Sequence, residues 1–303
     1  MRGKKGKKDV LDFQLNLADN LALLNQDLAD KTYRHGAYFA FNVADPKPRH
    51  IHKATVRDRV IHHLIYQELY SYFDNKFIFD SYSCRLSKGT HKALGRFKYF
   101  AGKVSQNHTK TCYVLKGDIR KFFASIDHVV LINILKNKIT DPDLLWLINQ
   151  VLASFTVGLP LGNLTSQLFA NVYLNELDQY IKQELKIKYY IRYADDFVIL
   201  SQDKNYLENN LAKIDNFLKI RLKLNLHPDK VFIKTYSSGV DFLGWTHFNY
   251  HRQIRTTTKR KIIRKMAGWP RPETINSYRG LLSHGESYKL KKRLKIDFLR
   301  FLS

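Results

Sequence analysis

Cysteine is nearly missing from this chain of 303 residues, which holds only Cys84 and Cys112. Two thiols exclude a disulfide-stapled scaffold and a cysteine-rich zinc module, and a reducing cytosol is the simplest compartment. The twelve histidines form no metal-binding motif: His62 and His63 are neighbours in a helical stretch and cannot share a face. No apolar run reaches the ~18 residues that a membrane crossing needs. The start, Met1-Arg2-Gly3-Lys4-Lys5-Gly6-Lys7-Lys8, lacks the apolar segment of a secretory signal. Internal repeats and low-complexity linkers are missing too. Negative charge is scarce: 27 Asp and Glu stand against 51 Lys and Arg, a formal net charge of +24. Such a surplus points to polyanions, nucleic acid first and anionic membrane second. The membrane reading rests on charge alone, with no lone amphipathic anchor behind it.

What is present is enough for a core. Hydrophobic residues make up 44% and aromatics 13%, which excludes global disorder. The length allows one large domain or two to three subdomains. Residues 248–303 hold fifteen Lys and Arg against three Asp and Glu, so half the surplus sits there. Apolar residues interleave those charges (Ile262, Ile263, Trp269, Tyr278, Leu281, Leu282, Leu290, Leu294, Phe298), which reads as packed helices with a basic outer face. Lys259, Lys261, Arg264 and Lys265 fall on one such helix and are expected to touch duplex backbone without sequence preference. Trp269 is expected to pack among these helices.

Periodicity predicts helices over 9–31, 53–73, 128–138 and 143–153, and a strong one through Phe169, Tyr173, Leu177 and Leu185. Another runs from Leu207 to Leu222 with Asp203 as N-cap. Strands are expected over 111–119, 189–193, 197–200, 231–235 and 240–245. The fold class is therefore α+β, with helices on one face of a sheet.

The chemistry concentrates at strand ends. Asp195 and Asp196 lie side by side at a tight turn between two hydrophobic strands, where a carboxylate is costly unless paired or metal-bound. Asp118 ends another strand 77 residues earlier. In so basic a chain, these three acids point to a shared Mg²⁺ site, because hard oxygen ligands suit that ion. Two metals about 4 Å apart activate a 3′-hydroxyl and stabilise departing pyrophosphate in an in-line displacement.

Several segments carry a resemblance in the correct order. Tyr193-Ala194-Asp195-Asp196 resembles the palm signature of reverse transcriptases, and Asp118 their first metal-binding aspartate. Gly158-Leu159-Pro160-Leu161-Gly162 resembles the template and nucleotide loop, and Val240-Asp241-Phe242-Leu243-Gly244-Trp245 the primer grip. Pro46-Lys47-Pro48-Arg49 through Val60 resembles the fingers. Leu161 and Gln167 stand where most of the family has Gln and Pro, and this pair resembles the enzymes of diversity-generating retroelements, which copy a template RNA with errors at adenines. Asp80-Ser81-Tyr82-Ser83-Cys84-Arg85, Lys88-Gly89-Thr90-His91 and Ser283-His284-Gly285 resemble that branch as well.

The resemblance implies a right-hand polymerase with an antiparallel palm sheet. A basic arm and helix would cover 1–46, fingers 47–111, palm 112–247 with a helical insertion about 128–157, and a basic helical thumb 248–303. It implies an RNA-directed DNA polymerase with two Mg²⁺ ions, Mn²⁺ able to substitute, held by Asp118, Asp195, Asp196 and the Ile119 carbonyl. Lys230 matches the lysine that protonates pyrophosphate. Phe123 matches the sugar gate that clashes with a ribose 2′-hydroxyl, although the adjacent Phe122 can swap roles with it. Arg49, Lys53, Arg57 and Arg59 are candidates for gripping the triphosphate, with no choice among them. Leu161, Gly162 and Gln167 would shape the pocket; Leu161 lacks the amide that helps discriminate base pairs. Phe242, Leu243 and Gly244 would hold the primer. The implied partners are dNTPs, template RNA and its DNA heteroduplex, and a small basic helical accessory protein, in the cytoplasm of a bacterium or from a phage. No RNase H or endonuclease domain of ordinary size is expected in the stretch of about 60 residues after the primer grip. Two alternatives stand beside this: an antiviral-defence or other standalone reverse transcriptase, and a non-catalytic RNA-binding protein on a degenerate palm.

Overall fold

A computed structural model describes residues 6–44, 48–268 and 270–294. Pro46, Lys47, Trp269 and Phe298, and the first five residues of the basic arm, lie outside the described residues. The chain opens with α1 (Lys8–Leu15) and α2 (Leu17–Ala29), which break at Asn16 rather than forming the single helix expected over 9–31. A hairpin of β1 (Phe39–Val43) and β2 (Arg49–Lys53) follows, paired from Phe39 opposite Lys53 to Val43 opposite Arg49. Helix α3 (Val56–Asp74) starts where the Thr55 side chain accepts from the Asp58 amide, and α4 (Thr90–Val104) follows Gly89.

Strand β3 (Tyr113–Asp118) leads into the short α5 (Phe122–Ser125), then α6 (His128–Lys136) and α7 (Pro142–Ala153). Asp127 and Asp141 cap these last two through their carboxylates, and Pro142 presets the first turn. Helix α8 (Leu164–Gln179) runs on into a π-helical turn, Tyr180–Glu184, and then come β4 (Tyr190–Tyr193) and β5 (Asp196–Ser201). Helix α9 (Lys204–Leu222) takes its N-cap bond from Asp203 as expected, and β6 (Phe232–Thr235) completes the set.

The central sheet is antiparallel, in the order β4-β5-β3-β6. Its two faces alternate along β3. Leu115 packs with Phe197 and Ile199 against α3, α8 and α9 (Ile65, Phe169, Tyr173, Leu218), while Val114 packs with Ile191 and Val198 against Phe97 and Ala101 of α4. The sheet is therefore covered on both faces, not one. Gly117 is fixed by this packing: a Cβ there would lie 2.1 Å from the Phe197 ring.

The segment 240–245, expected as one strand, is a hairpin. Strand β7 (Val240–Phe242) turns at Leu243 and Gly244, both at positive φ, into β8 (Trp245–His247), which pairs with β9 (Arg252–Ile254). Three helices follow: the basic α10 (Thr256–Met266), α11 (Pro272–Leu282), where Glu273 balances Arg279, and the basic α12 (Tyr288–Arg293). Each buries one apolar anchor, Ile262, Leu282 or Leu290, against the Trp245 and Ile254 side of the second core.

Candidate active site

Asp118 and Asp196 sit directly opposite each other on β3 and β5, and Asp195 occupies the two-residue turn that joins β4 to β5. Like charges facing across a ladder destabilise a sheet. Ala194 takes a left-handed backbone, φ 54°, to make that turn, and the Ile119 amide donates to the Asp195 carbonyl at 3.3 Å. Three acids from two distant stretches thus meet at one end of the sheet. The crowding is visible in Asp195, whose carboxyl is pushed up to about 6, first by burial and then by the charges of Asp118 and Asp196.

Two lysines answer the acids. Lys230 Nζ donates to Asp118 Oδ1 at 2.9 Å. Its loop is tied to β3 by the Arg120 amide on the Asn225 carbonyl, 2.9 Å, and the His227 amide on the Asp118 carbonyl, 2.7 Å. Lys116, buried on β3, brings Nζ to 3.1 Å from Asp196 Oδ1, an ion pair without hydrogen-bond alignment, so that oxygen stays without a hydrogen-bond partner. Among the described residues no three His, Cys, Asp or Glu side chains converge as a ready metal cage. The donor set nevertheless suits a hard divalent cation: three carboxylates, one with a buried oxygen that accepts no hydrogen bond and one whose pKa is raised by burial and then by its acidic neighbours.

The turn is braced from beneath by residues that sequence reasoning passed over. Arg192 is fully buried and meets Asp178 through Nε at 2.8 Å and Nη2 at 2.6 Å, while its Nη1 donates to the Ala194 carbonyl and to Asn171 Oδ1, both at 3.2 Å. Tyr190 donates to the same Asp178 carboxylate at 2.7 Å. A charged residue inside the hydrophobic run Tyr190-Ile191-Arg192-Tyr193 was the available signal for it. Lys116 in β3 gave the same signal.

Phe122 is buried in the core, whereas Phe123 is half-buried, which separates the two adjacent rings. The Phe123 carbonyl accepts from the Leu159 amide at 2.7 Å, which ties α5 to the 158–162 loop. That loop docks on β2: the Leu161 carbonyl accepts from the His52 amide at 2.8 Å, and Asn163 Nδ2 donates to the His52 carbonyl at 3.1 Å. Gly162 lies at φ 115°, where a Cβ would meet Ile51 at 2.8 Å. Leu161 is half-buried and Gln167 is exposed on the first turn of α8.

The four basic candidates near β2 do not share one fate. Asp9 of α1 binds both Lys53 Nζ and Arg59 Nη2 at 2.7 Å, and its carboxyl is lowered by those two cations, Lys53 foremost. Arg57 pairs with Asp27 of α2 and stacks over Tyr33. Among the described residues Arg49 enters no ion pair. In the 240–245 hairpin Phe242 is fully buried against Phe97, so only Leu243 and Gly244 reach the tip. On α10, Lys259, Arg264 and Lys265 are exposed and Lys261 is half-buried.

His62 is not an ordinary surface histidine. It is buried, its Nδ1 lies 2.7 Å from Thr165 Oγ1 and its Nε2 3.2 Å from His35, and burial pushes its pKa down to about 4. Asp58 anchors the same network, accepting from Tyr33 at 2.8 Å and Thr55 at 2.6 Å.

Comparison with known proteins supplies the remaining context. The chain is 24% identical to YkfC of Escherichia coli over 309 aligned residues, covering 87% of this chain and 78% of that protein. It is 28% identical to the group II intron-encoded protein LtrA of Lactococcus lactis subsp. cremoris, over 73% of this chain and 48% of that one. The COX1/OXI3 intron 2 protein of Saccharomyces cerevisiae matches at 24%, with 30% of its length covered. The chain thus spans half or less of two of these relatives. Among solved structures, Candida albicans telomerase in complex with a telomeric RNA fragment superposes with a TM-score of 0.57 at 11% identity, over 74% of this chain and 46% of that one. The fold is that of a right-hand polymerase. No helix of the described residues is long and apolar enough to cross a membrane. The family model for reverse transcriptase (RNA-dependent DNA polymerase) matches residues 44–247, and the chain belongs to that family.

Proposed function

We propose that this chain copies a template RNA into cDNA, as the error-prone polymerase of a diversity-generating retroelement. The observation that carries the polymerase reading is the register of Asp118 against Asp196 with Asp195 in the adjoining turn. A sheet accepts facing carboxylates at a cost, and a cation site explains why it does. Asp118, Asp195, Asp196 and the Ile119 carbonyl would hold two Mg²⁺ ions, with Mn²⁺ able to substitute. Bound there, such ions supply activation of the primer 3′-hydroxyl and neutralisation of the leaving pyrophosphate.

The chain's own residues do the rest. Lys230, 2.9 Å from Asp118, would stand beside the bound metals and donate a proton to the departing pyrophosphate. Lys116 holds Asp196 in place. Half-buried Phe123 would face the sugar and exclude a ribose 2′-hydroxyl. Arg49, Lys53 and Arg59 would grip the triphosphate, with Asp9 giving way; Arg57, committed to Asp27, is the weaker candidate. The Leu161 side chain brings no hydrogen-bonding group to its half-buried position beside β2, which supports relaxed discrimination of base pairs. Leu243, Gly244 and the α10 cations would track the RNA/DNA heteroduplex, and a small basic helical protein would assist.

The test is primer extension on an RNA template followed by sequencing of the product. The proposal expects cDNA with errors concentrated opposite template adenines, reduced in Leu161→Gln. Accurate cDNA would remove the mutagenic assignment and leave a standalone or defence enzyme; no product at all would remove the polymerase.

A further inference from the structure

Helix α4 carries a feature that the polymerase reading does not use. Its buried face, Leu94, Phe97 and Ala101, packs on the central sheet. Its outer face repeats at helical spacing as Lys92, Arg96, Tyr99 and Lys103, and the helix has no Asp or Glu. Beside this stripe lies an open cleft of about 560 Å³, lined by Phe79, Lys88, Lys92, Gly95, Arg96 and Tyr99. Phe79 is 67% exposed and Tyr99 52%, so both rings present open surface. Lys88 sits 3.6 Å over the Phe79 ring, and Arg96 lies 5.3 Å from both rings. The nearby carboxylate, Asp80, is already taken by Arg96 at 2.8 and 3.2 Å, so the cleft keeps its positive character.

Gly95 is informative. Glycine is a poor residue in a helix interior. Nothing lies within 4 Å of where its Cβ would stand, so packing does not require it. Its effect is to leave the cleft floor clear. The direction of the stripe matters as well. Thr90 at the start of α4 donates to the Tyr193 hydroxyl, 3.1 Å, beside the catalytic turn. At the other end Phe100 packs on Tyr189, and the Val104 carbonyl accepts from Gln202 beyond β5. The stripe therefore leads away from the active site for about 16 Å, at 1.5 Å per residue.

We propose that this cleft binds unpaired RNA, stacking bases on Phe79, Tyr99 and the Arg96 guanidinium while Lys88, Lys92 and Lys103 track the phosphates. Open aromatic rings interleaved with cations suit single strands of any sequence, because every base has a stacking face. This goes beyond the polymerase reading, since it assigns a second RNA contact outside the catalytic cleft.

Binding alone tests it, independently of synthesis. The full chain is titrated with non-extendable primer–template duplexes, either blunt or bearing a tail of about ten unpaired ribonucleotides at either end. The tail is expected to tighten binding about tenfold or more. Two variants, the double Phe79→Ala/Tyr99→Ala and the single Gly95→Leu, should each lose that gain and bind blunt duplex as the parent does. Gly95→Leu raises helix propensity, so its loss cannot come from an unfolded α4. A tail effect that survives in both variants overturns the proposal. So does competition by poly-glutamate as effective as by RNA, since the cleft would then recognise charge and not bases.

Discussion

Replacing Asp195 with Asn should stabilise the metal-free protein at neutral pH while ending synthesis. The side chain stays the same size and keeps its place in the turn, but one of three crowded negative charges disappears. Burial, then Asp118 and Asp196, raise the Asp195 carboxyl from 3.8 to about 6. A shift of about two units corresponds to roughly 3 kcal/mol at 1.36 kcal/mol per unit. Asp195 is partly exposed and screened by solvent, which reduces this to about 1–2 kcal/mol. The folded chain binds this proton more tightly than the unfolded chain does. The associated stability is fully present below about pH 4 and is lost as pH rises through 6. Urea unfolding in EDTA at pH 7.5 should therefore give Asp195→Asn a higher midpoint than the parent, and the two should converge near pH 4. Adding Mg²⁺ should stabilise the parent and leave the variant nearly unchanged. A variant that is less stable than the parent at pH 7.5 in EDTA would refute the claim that these carboxylates repel one another in the folded chain.

Three further outcomes follow from the same geometry. Arg192→Met strands the buried Asp178 carboxylate and should cost about 3–5 kcal/mol in chemical denaturation, with much of it restored in Arg192→Met/Asp178→Leu. Asp9→Asn releases Lys53 and Arg59 and should lower KM for dNTPs by roughly two- to tenfold at low salt, with little change in kcat; an unchanged KM would remove those cations from the triphosphate site. His62, held neutral by burial with a pKa near 4, contributes stability that is present above pH 6.5 and lost as pH falls from there towards 4. His62→Gln should flatten that acid limb in urea titrations.

Much of this architecture was legible because it rests on local pattern. The alternation in β3 and the hydrophobic periods of α8 and α9 gave those elements, and Asp118, Asp195 and Asp196 stood out as acids at strand ends. What escaped depends on long-range pairing or on backbone sign. Helix α4 has a helical period, but Gly89, Gly95 and Gly102 punctuate it, and its packing on the sheet overrides their weak propensity. The hairpin of β7 and β8 hid inside one apolar run, because Leu243 takes a positive φ that a branched residue rarely adopts. Covering of both sheet faces was missed for the same reason as α4. The clasp of Asp9 on Lys53 and Arg59, the Lys116–Asp196 pair and the Arg192–Asp178 pair join residues far apart in sequence, so no spacing rule could have announced them. The register that sets Asp118 against Asp196 follows from the pairing of β3 with β5, which only the fold defines.

The account stands on the joint action of the three carboxylates, and single-nucleotide incorporation on an RNA template measures that directly. With Mg²⁺ present, the parent chain should add the complementary dNTP, while Asp118→Asn, verified as folded, should be slower by at least about a thousandfold. Incorporation by Asp118→Asn at a rate near the parent's would contradict it.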